Sequence, residues 1–447
     1  MSASRAVIAA RCLLGALLAI SLVRAMTQSV TPGEAWNFDR FVAPPWAEAL
    51  SRFDINNHVL NTLLVRISTA RFHLTELSLR LPSLLAGALY LLAVYRLARR
   101  WFGDGLPFLS VIGLLTLNPL VVDALSEARG YGLALAAWTW ALYLILESTQ
   151  SFNRRNLNLA GVCLGLSVVA SLAFAACAVA LLLVSTVWFV AEGRRQKLPQ
   201  LMFLTLFVLL ILPVNRAQWA TLAVGAKSLG RALDGLADLS LGTSHEILHL
   251  GGRAAAVAAA LAGLVFCVRY WRRREDALLV IAGAILPLSF VLLLLSHDYL
   301  HTPFPQQGAV FLVPMSMLLV TSIILKFRMK AAQITYLVLC AMLCACYLAI
   351  FPFGMYTAAP EFAGGRTLAK SLRQKAGTAN VRLGVSLDAE PVVNYYRWRY
   401  RQSNWQAERK PLTETYDYYV LTPADAALIE QRHLHVLYRD RGLTLAQ

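Results

Sequence analysis

The sequence predicts an all-α polytopic membrane protein with about eleven transmembrane helices and a small C-terminal α/β appendage. Three observations support this fold class. The 447 residues are 58% hydrophobic, with a mean hydropathy of +0.56, which is more apolar than one soluble core requires. Apolar runs of roughly 20 residues, the length that crosses a bilayer, recur along the chain. Basic residues cluster in alternate short loops.

The apolar runs define the predicted spans in chain order. Ser171, among small residues, separates two of them, and the first is retained rather than cleaved because no clear small-residue cleavage site follows it. The predicted spans are 6–25, 81–98, 106–123, 131–147, 157–172, 174–191, 198–214, 254–271, 277–295, 308–325 and 332–352.

The basic clusters predict the orientation. They fall on one side of the predicted bundle, and basic loops favour the cytoplasm. We therefore expect a multi-pass protein of the cytoplasmic (inner) membrane, with its N-terminus inside and its C-terminus extracytoplasmic. The lipid bilayer is then a partner, and the net charge of +16 needs no nucleic acid to explain it. The seven cysteines all lie in predicted spans, which argues against disulfides and Cys-ligated metal.

The predicted outer side carries four features, namely loop 26–80, the turn near 124–130, loop 215–253 and segment 296–307, and long polar loops are uncommon unless functional. The first outer loop, residues 26–80, mixes apolar and polar residues at helical spacing over 44–52 and 56–72, which predicts two amphipathic interfacial helices. Residues 1–352 form the predicted transmembrane domain. Residues 353–447 form the appendage, with strands at 381–387, 416–422 and 435–440 and helices at 361–376 and 389–399.

Acidic residues in the first outer loop are the candidate catalytic groups. Acids at the mouth of apolar spans are costly and tend to be kept for chemistry. Glu34, Asp39 and Asp54 can accept a proton from an acceptor or bind a divalent cation, so a divalent metal stays an alternative to a metal-free site. Asp54 also precedes a helical pattern, where an N-cap is the simpler explanation.

Polar residues near the predicted outer face are the candidate substrate-binding groups. Asn56, Asn57 and His58 can bind a sugar or phosphate. Arg129 suits a phosphate through its planar guanidinium, although an ion pair with Glu127 or contact with lipid phosphates explains it equally simply. The predicted substrate-binding set is completed by Glu127, Tyr131, His301 and Gln306.

A competing pattern lies in the loop 215–253. His245-Glu246-Ile247-Leu248-His249 satisfies the His-Glu-x-x-His pattern, which places two histidines on one helix face with a glutamate as base. No third ligand follows at a family spacing. A membrane metalloprotease is therefore the less favoured alternative, behind a transporter or flippase of a lipid-linked precursor.

Four segments in order carry a resemblance to a known family. They are NNHVLNTLL (56–64), LRLPSLLAGALYLLAVYRLARRWFG (79–103), LNPLVVDALSEARGYGLALA (117–136) and FPQQGAVFLVP (304–314). With the acidic first loop, the chain resembles GT-C membrane glycosyltransferases, in the group of protein O-mannosyltransferases and lipid A aminoarabinose transferases. The resemblance implies an enzyme that transfers a hexose or pentose from a polyprenyl-phosphate donor to a lipid, glycan or protein acceptor.

The resemblance also implies residue roles. Glu34 matches the second member of the family's Asp-Glu pair, while Gly33 replaces the first, so Glu34 becomes the expected base. Gln306 and Gln307 stand where relatives often carry a charged residue, which leaves phosphate binding to Arg129. The implied reaction is an inverting displacement, with His58 and the neighbouring asparagines holding sugar or phosphate.

Overall fold

A computed structural model describes residues 3–51, 57–151, 153–194, 205, 225–271, 276–327, 329–408, 412 and 414–447. Helices dominate the part before residue 350. They are α1 Ala3–Thr27, α2 Pro32–Asn37, α3 Trp46–Ser51, α4 Val59–Phe72, α5 Glu76–Phe102, α6 Leu106–Thr116, α7 Pro119–Ala124, α8 Tyr131–Gln150, α9 Arg154–Ala170, α10 Ala175–Ala191, α11 Leu229–Leu241, α12 Glu246–Trp271, α13 Ala277–Leu300, α14 Leu312–Lys326 and α15 Lys330–Ala349.

Seven helical segments in the described residues are long and apolar enough to cross a membrane. They are Arg5–Thr27, Glu76–Phe102, Leu172–Ala191, Glu246–Trp271, Ala277–Leu300, Gln307–Lys326 and Lys330–Ala349. The prediction of a polytopic helical protein is confirmed, whereas the count of eleven spans is not. The predicted span 198–214 lies outside the described residues except for position 205.

The predicted span 106–123 is not one helix. Helix α6 ends at Thr116, and α7 begins at Pro119. A residue before proline avoids helical backbone angles, and Asn118 has ψ 126°, while its side chain accepts hydrogen bonds from the amides of Leu120 and Val121. The prediction of a continuous span was therefore wrong, and the break directs the chain into the loop that carries Glu127 and Arg129.

The predicted break at Ser171 is confirmed. Helix α9 ends at Ala170, Ser171 is extended with φ −158° and ψ 120°, and a short 3-10 turn, Leu172–Phe174, leads into α10. Because the helix is interrupted, the Ala170 carbonyl has no helical hydrogen-bond partner and can accept a hydrogen bond from elsewhere. This carbonyl binds a side chain of the candidate site described below.

The first predicted outer loop contains the two expected helices, α3 and α4. On α4 the polar residues Asn61, Thr62 and Ser68 are buried, whereas Ile67 is 63% exposed. The helix therefore turns its polar side to the protein and part of its apolar side outward, as an interfacial helix does. Short helix α2 precedes them and is followed by a single π-turn, Phe38–Val42.

The C-terminal part forms a five-stranded mixed sheet in the order β2-β1-β3-β5-β4. Strand β1 is parallel to β2 and β3, and β5 is antiparallel to β3 and β4. The elements are α16 Gly365–Ala376, β1 Val381–Val385, α17 Glu390–Tyr400, β2 Trp405–Glu408, β3 Tyr418–Leu421, α18 Ala427–Gln431, β4 Val436–Asp440 and β5 Leu443–Ala446. The sequence predicted β1, β3 and β4 but missed β2 and β5.

Ionic and aromatic contacts join the C-terminal domain to the helices. The buried Glu76 carboxylate, at the start of α5, accepts hydrogen bonds from Arg399 and from the Tyr396 hydroxyl, and Arg366 lies 3.6 Å away. The Phe38 and Tyr395 rings meet edge to face at 5.4 Å. The C-terminal domain therefore rests on the first loop and on α5.

Candidate functional site

A cavity of about 800 Å³ lies between the helices and the C-terminal domain. Its three walls differ in character. Residues at or before the starts of α2, α4, α8 and α14 form a polar end, with Thr31, His58, Glu127, Arg129, Tyr131, Gln306 and Gln307. Helices α10 and α13 form an apolar wall with Leu172, Ala176, Val179, Leu292, Leu293 and Leu300. Helix α11 and the C-terminal domain contribute Asp238, Glu361, Phe362 and Asp388.

Glu34, the expected base, lies beneath this cavity and does not line it. Oε1 accepts from Arg80 Nε at 2.8 Å and from the Ala128 amide at 2.8 Å. Oε2 accepts from Arg80 Nη2 at 2.6 Å and from the Thr31 amide at 2.9 Å. Four donors occupy the acceptor positions of a carboxylate. The side chain therefore ties the first loop to the loop after α7, and a substrate proton finds no open position on it.

Arg129 covers the position next to Glu34. A β carbon on Gly33 would stand 2.8 Å from Arg129 Nε and 2.9 Å from Cζ, closer than any relaxed contact. The guanidinium lies 5.2 Å from the Tyr131 ring centre and donates to Gln307 Oε1. The space that a side chain at position 33 would need is thus filled by a cation.

Glu127 is the buried acid that lines the cavity. Its Oε1 accepts a hydrogen bond from Thr31 Oγ1 at 3.0 Å. Burial raises the pKa of Glu127 to about 7, the Arg129 charge opposes this shift, and the Glu34 charge adds to it. A carboxyl group with this pKa exchanges a proton near neutral pH, which suits a general base.

His58 lines the cavity and has one ring nitrogen without a hydrogen-bond partner among the described residues. Its Nδ1 lies 3.1 Å from the Ala170 carbonyl, which can only accept, so Nδ1 carries the proton. Nε2 is then an acceptor, and it is buried without a hydrogen-bond partner among the described residues. Burial and the Arg129 charge lower the pKa of His58 to about 3, so the ring is neutral at pH 7.

The structure brings together five of the predicted site residues, namely His58, Glu127, Arg129, Tyr131 and Gln306. Asp54 and Asn56 lie outside the described residues. The other predicted residues, Glu34, Asp39, Asn57 and His301, do not line the cavity. Asp39 accepts from Trp398 Nε1 at 3.3 Å, Asn57 accepts from Thr62 Oγ1 at 3.0 Å, and His301 ends α13 with a left-handed φ of 52°.

Sequence reasoning missed Asp238, Glu361 and Asp388. The last two belong to the C-terminal domain, more than 230 residues beyond Glu127 in the chain, and no local pattern places them at a site with it. Asp388 follows β1, at the carboxyl edge of the parallel strands where α/β domains place ligands. The position of Asp388 after a predicted strand was the one sequence feature that could have indicated a site there.

A family model and solved structures are similar to the chain. A family model described as dolichyl-phosphate-mannose-protein mannosyltransferase matches residues 59–219. The crystal structure of ArnT from Cupriavidus metallidurans in the apo state aligns over 97% of both chains, with 13% sequence identity and a TM-score of 0.59. The chain has the GT-C fold. The same enzyme bound to undecaprenyl phosphate aligns over 97% of both chains at 14% identity, with a TM-score of 0.47. No curated protein sequence matches the chain.

The GT-C fold confirms the predicted fold class and the predicted resemblance to GT-C membrane glycosyltransferases. The metalloprotease alternative rests on His245 and His249. Within the GT-C frame, His249 Nε2 pairs with Asp238 at 2.6 Å, and His245 is exposed one residue before α12. In the described part of the chain, no group of three or more His, Cys, Asp or Glu residues could hold a metal ion.

Proposed function

We propose that the protein transfers a sugar from a polyprenyl-phosphate donor to an acceptor at the extracytoplasmic face of the cytoplasmic membrane. The observation that carries the proposal is one cavity with a half-buried arginine at its polar end and an apolar wall beside it. A prenyl-phosphate sugar has the same division between a charged head and an apolar tail. A polyprenyl-phosphate-linked sugar is also the donor type named by the matched family's description.

The apolar wall supports a lipid-linked donor. Val179 on α10 is 39% exposed and Leu300 on α13 is 56% exposed, so the wall continues from the cavity to the surface of the bundle. A tail in this groove would remain in contact with the bilayer. A nucleotide sugar has no apolar group that such a wall would bind.

Arg129 is the proposed phosphate ligand. Its planar guanidinium can donate two parallel hydrogen bonds to phosphate oxygens, and burial strengthens the attraction. Gln307 and Tyr131 hold the guanidinium in place. In the proposed reaction, the bond between the sugar C1 and the phosphate oxygen breaks, the electron pair stays on the phosphate, and Arg129 stabilises the added charge.

Glu127 is the proposed base, in place of Glu34. The acceptor oxygen forms a bond to C1 from the side opposite the phosphate, with inversion, and its proton passes to the Glu127 carboxylate. Glu34 acts as a positioning residue, because its contacts with Thr31 and the Ala128 amide hold both sides of the loop that carries Glu127.

The test uses purified protein in nanodiscs with a radiolabelled sugar on polyprenyl phosphate, and with the same sugar on a nucleotide diphosphate. We expect label transfer from the lipid donor alone. Transfer from the nucleotide donor alone would overturn the donor assignment. Movement of intact lipid-linked sugar across proteoliposomes without bond cleavage would favour the flippase alternative. Parallel reactions with a chelator determine whether a divalent metal is required.

A further inference from the structure

We propose that the wall formed by Asp238, Glu361 and Asp388 is an acceptor subsite for a non-phosphorylated sugar, whose hydroxyl or amino groups donate hydrogen bonds to the protein. The inference rests on the proposed function and names the acceptor class. Three features carry it: the charge of the cavity, two unpartnered buried atoms, and the attachment of the C-terminal domain.

The cavity is strongly unbalanced in charge. Among the described residues that line it, four are acids and Arg129 alone is basic. The donor phosphate takes Arg129 in the proposed reaction. A second phosphate, on the acceptor, would then be repelled by Glu361 and Asp388, since Arg129 is occupied by the donor and Asp238 already pairs with His249. An acceptor with neutral or positively charged groups meets no such repulsion.

Two buried polar atoms indicate that the cavity receives a polar ligand. His58 Nε2 and Ser171 Oγ both belong to lining residues that are at least 97% buried, and neither atom has a hydrogen-bond partner among the described residues. Buried polar atoms are rarely left unpaired in folded proteins. The two residues adjoin, because the His58 ring binds the carbonyl of Ala170, which precedes Ser171.

The tautomer of His58 selects the ligand chemistry. Nδ1 donates to Ala170, so Nε2 can only accept, and its partner must carry a proton to donate. The low pKa of His58 keeps the ring neutral at physiological pH, so it does not become a phosphate-binding cation. A sugar hydroxyl or ammonium group supplies the required donor, and a phosphate dianion does not.

The acids of the C-terminal domain are held by its fold. Glu361 packs against Gly442, where an added β carbon would stand 2.2 Å from the Glu361 Cβ. Asp388 lies in the turn between β1 and α17. Because the Glu76 contacts attach this domain to the helices, both carboxylates are positioned at the cavity wall.

The experiment compares three acceptors built on one sugar: a neutral glycoside, its amino analogue and its phosphate monoester. Each is supplied to the full-length protein with labelled polyprenyl-phosphate sugar. We expect kcat/KM for the neutral and amino acceptors to exceed that for the phosphorylated acceptor by roughly tenfold or more. Preference for the phosphorylated acceptor would overturn the inference.

Matched variants locate the effect. Glu361→Gln and Asp388→Asn should each raise KM for the amino acceptor several-fold while KM for the donor stays unchanged. Glu430→Gln, an exposed acid on α18 outside the cavity, serves as the control and should change neither. Unchanged acceptor KM in both cavity variants, with wild-type thermal stability, would overturn the subsite.

Donor binding separates this inference from the proposed function. Binding of labelled polyprenyl phosphate is measured in the wild-type protein and in Arg129→Met. Loss of binding in Arg129→Met together with preference for the phosphorylated acceptor would overturn only the acceptor subsite. Equal donor binding in both proteins would overturn only the role of Arg129, whereas no donor binding by the wild-type protein would overturn the proposed function, and the acceptor inference with it.

Discussion

The Arg129 guanidinium lies against Gly33, so that a β carbon at position 33 would stand 2.8 Å from Nε. By the sequence resemblance, Gly33 is expected to replace the first member of an Asp-Glu pair, and Arg129 fills the space that a side chain at position 33 would need. The position of Arg129, the proposed phosphate ligand, therefore depends on glycine at position 33, because a side chain there would displace the guanidinium.

Gly33→Ala should weaken donor binding because its methyl group forces Arg129 away from Gln307. We expect donor KM to rise by about threefold to tenfold, with a small change in kcat. Gly33→Asp should raise the donor KM further, since an ion pair with Arg129 competes with the donor phosphate. Steady-state kinetics with variable donor check both. A gain in kcat for Gly33→Asp would instead mean that position 33 is where the base belongs, and Glu127 would lose that role.

Glu127→Gln should remove the base while preserving the shape of the site. We expect kcat to fall by roughly 10² to 10⁴-fold, the usual contribution of general base catalysis. Since the base acts when deprotonated, wild-type activity should rise with pH through the Glu127 pKa of about 7, and the residual activity of the variant should lack that rise. A pH profile from 5.5 to 8.5 measures it. An unchanged profile would falsify the assignment.

The sequence predicted the parts of the fold that depend on local patterns. Apolar run length predicted α1, α5 and α13, and the small residues around Ser171 predicted the break after α9. Long-range ion pairs leave no local pattern in the sequence, so they could not be predicted. Glu34 was chosen from its position in the first loop, but its partner Arg80 lies 46 residues away, and only folding shows that the carboxylate is fully occupied.

The same reason explains which site residues were found. His58, Glu127 and Arg129 lie beside helix ends, where polar residues stand out against apolar runs. Glu361 and Asp388 belong to a polar domain, so these two acids do not stand out against the neighbouring sequence. Their position follows from the docking of that domain, which depends on Glu76 and no periodic pattern.

The buried pair of Glu34 and Arg80 predicts a stability effect without direct loss of chemistry. Arg80→Met leaves the Glu34 charge buried and unpaired, which costs about 3–5 kcal/mol of folding free energy. It also frees the Gln28 and Ser29 carbonyls that Arg80 binds. Thermal unfolding of the solubilised protein should show a much lower midpoint for Arg80→Met than for Glu127→Gln. Similar midpoints for both variants would contradict the structural role of the pair.

His58 predicts a pH effect on stability. The unfolded imidazole takes up a proton below about pH 6.5, whereas the folded ring resists protonation until about pH 3. Protonation therefore favours the unfolded state as pH falls from 7 to 5, by about 2 kcal/mol at pH 5. His58→Asn lacks this group, so its unfolding midpoint should fall less than that of the wild type over the same interval. Parallel falls in the two proteins would show that His58 is not buried as a neutral ring.

Glu76 predicts that attachment of the C-terminal domain and acceptor use change together. Glu76→Gln removes the charge that binds Arg399 and Arg366, so the domain should dock less firmly on α5. We expect faster proteolysis within residues 353–359 and a several-fold higher acceptor KM, with donor KM close to that of the wild type. Glu430→Gln controls for the loss of an acid elsewhere in the domain. If proteolysis increased while acceptor KM stayed constant, the domain would brace the helices without forming the acceptor wall.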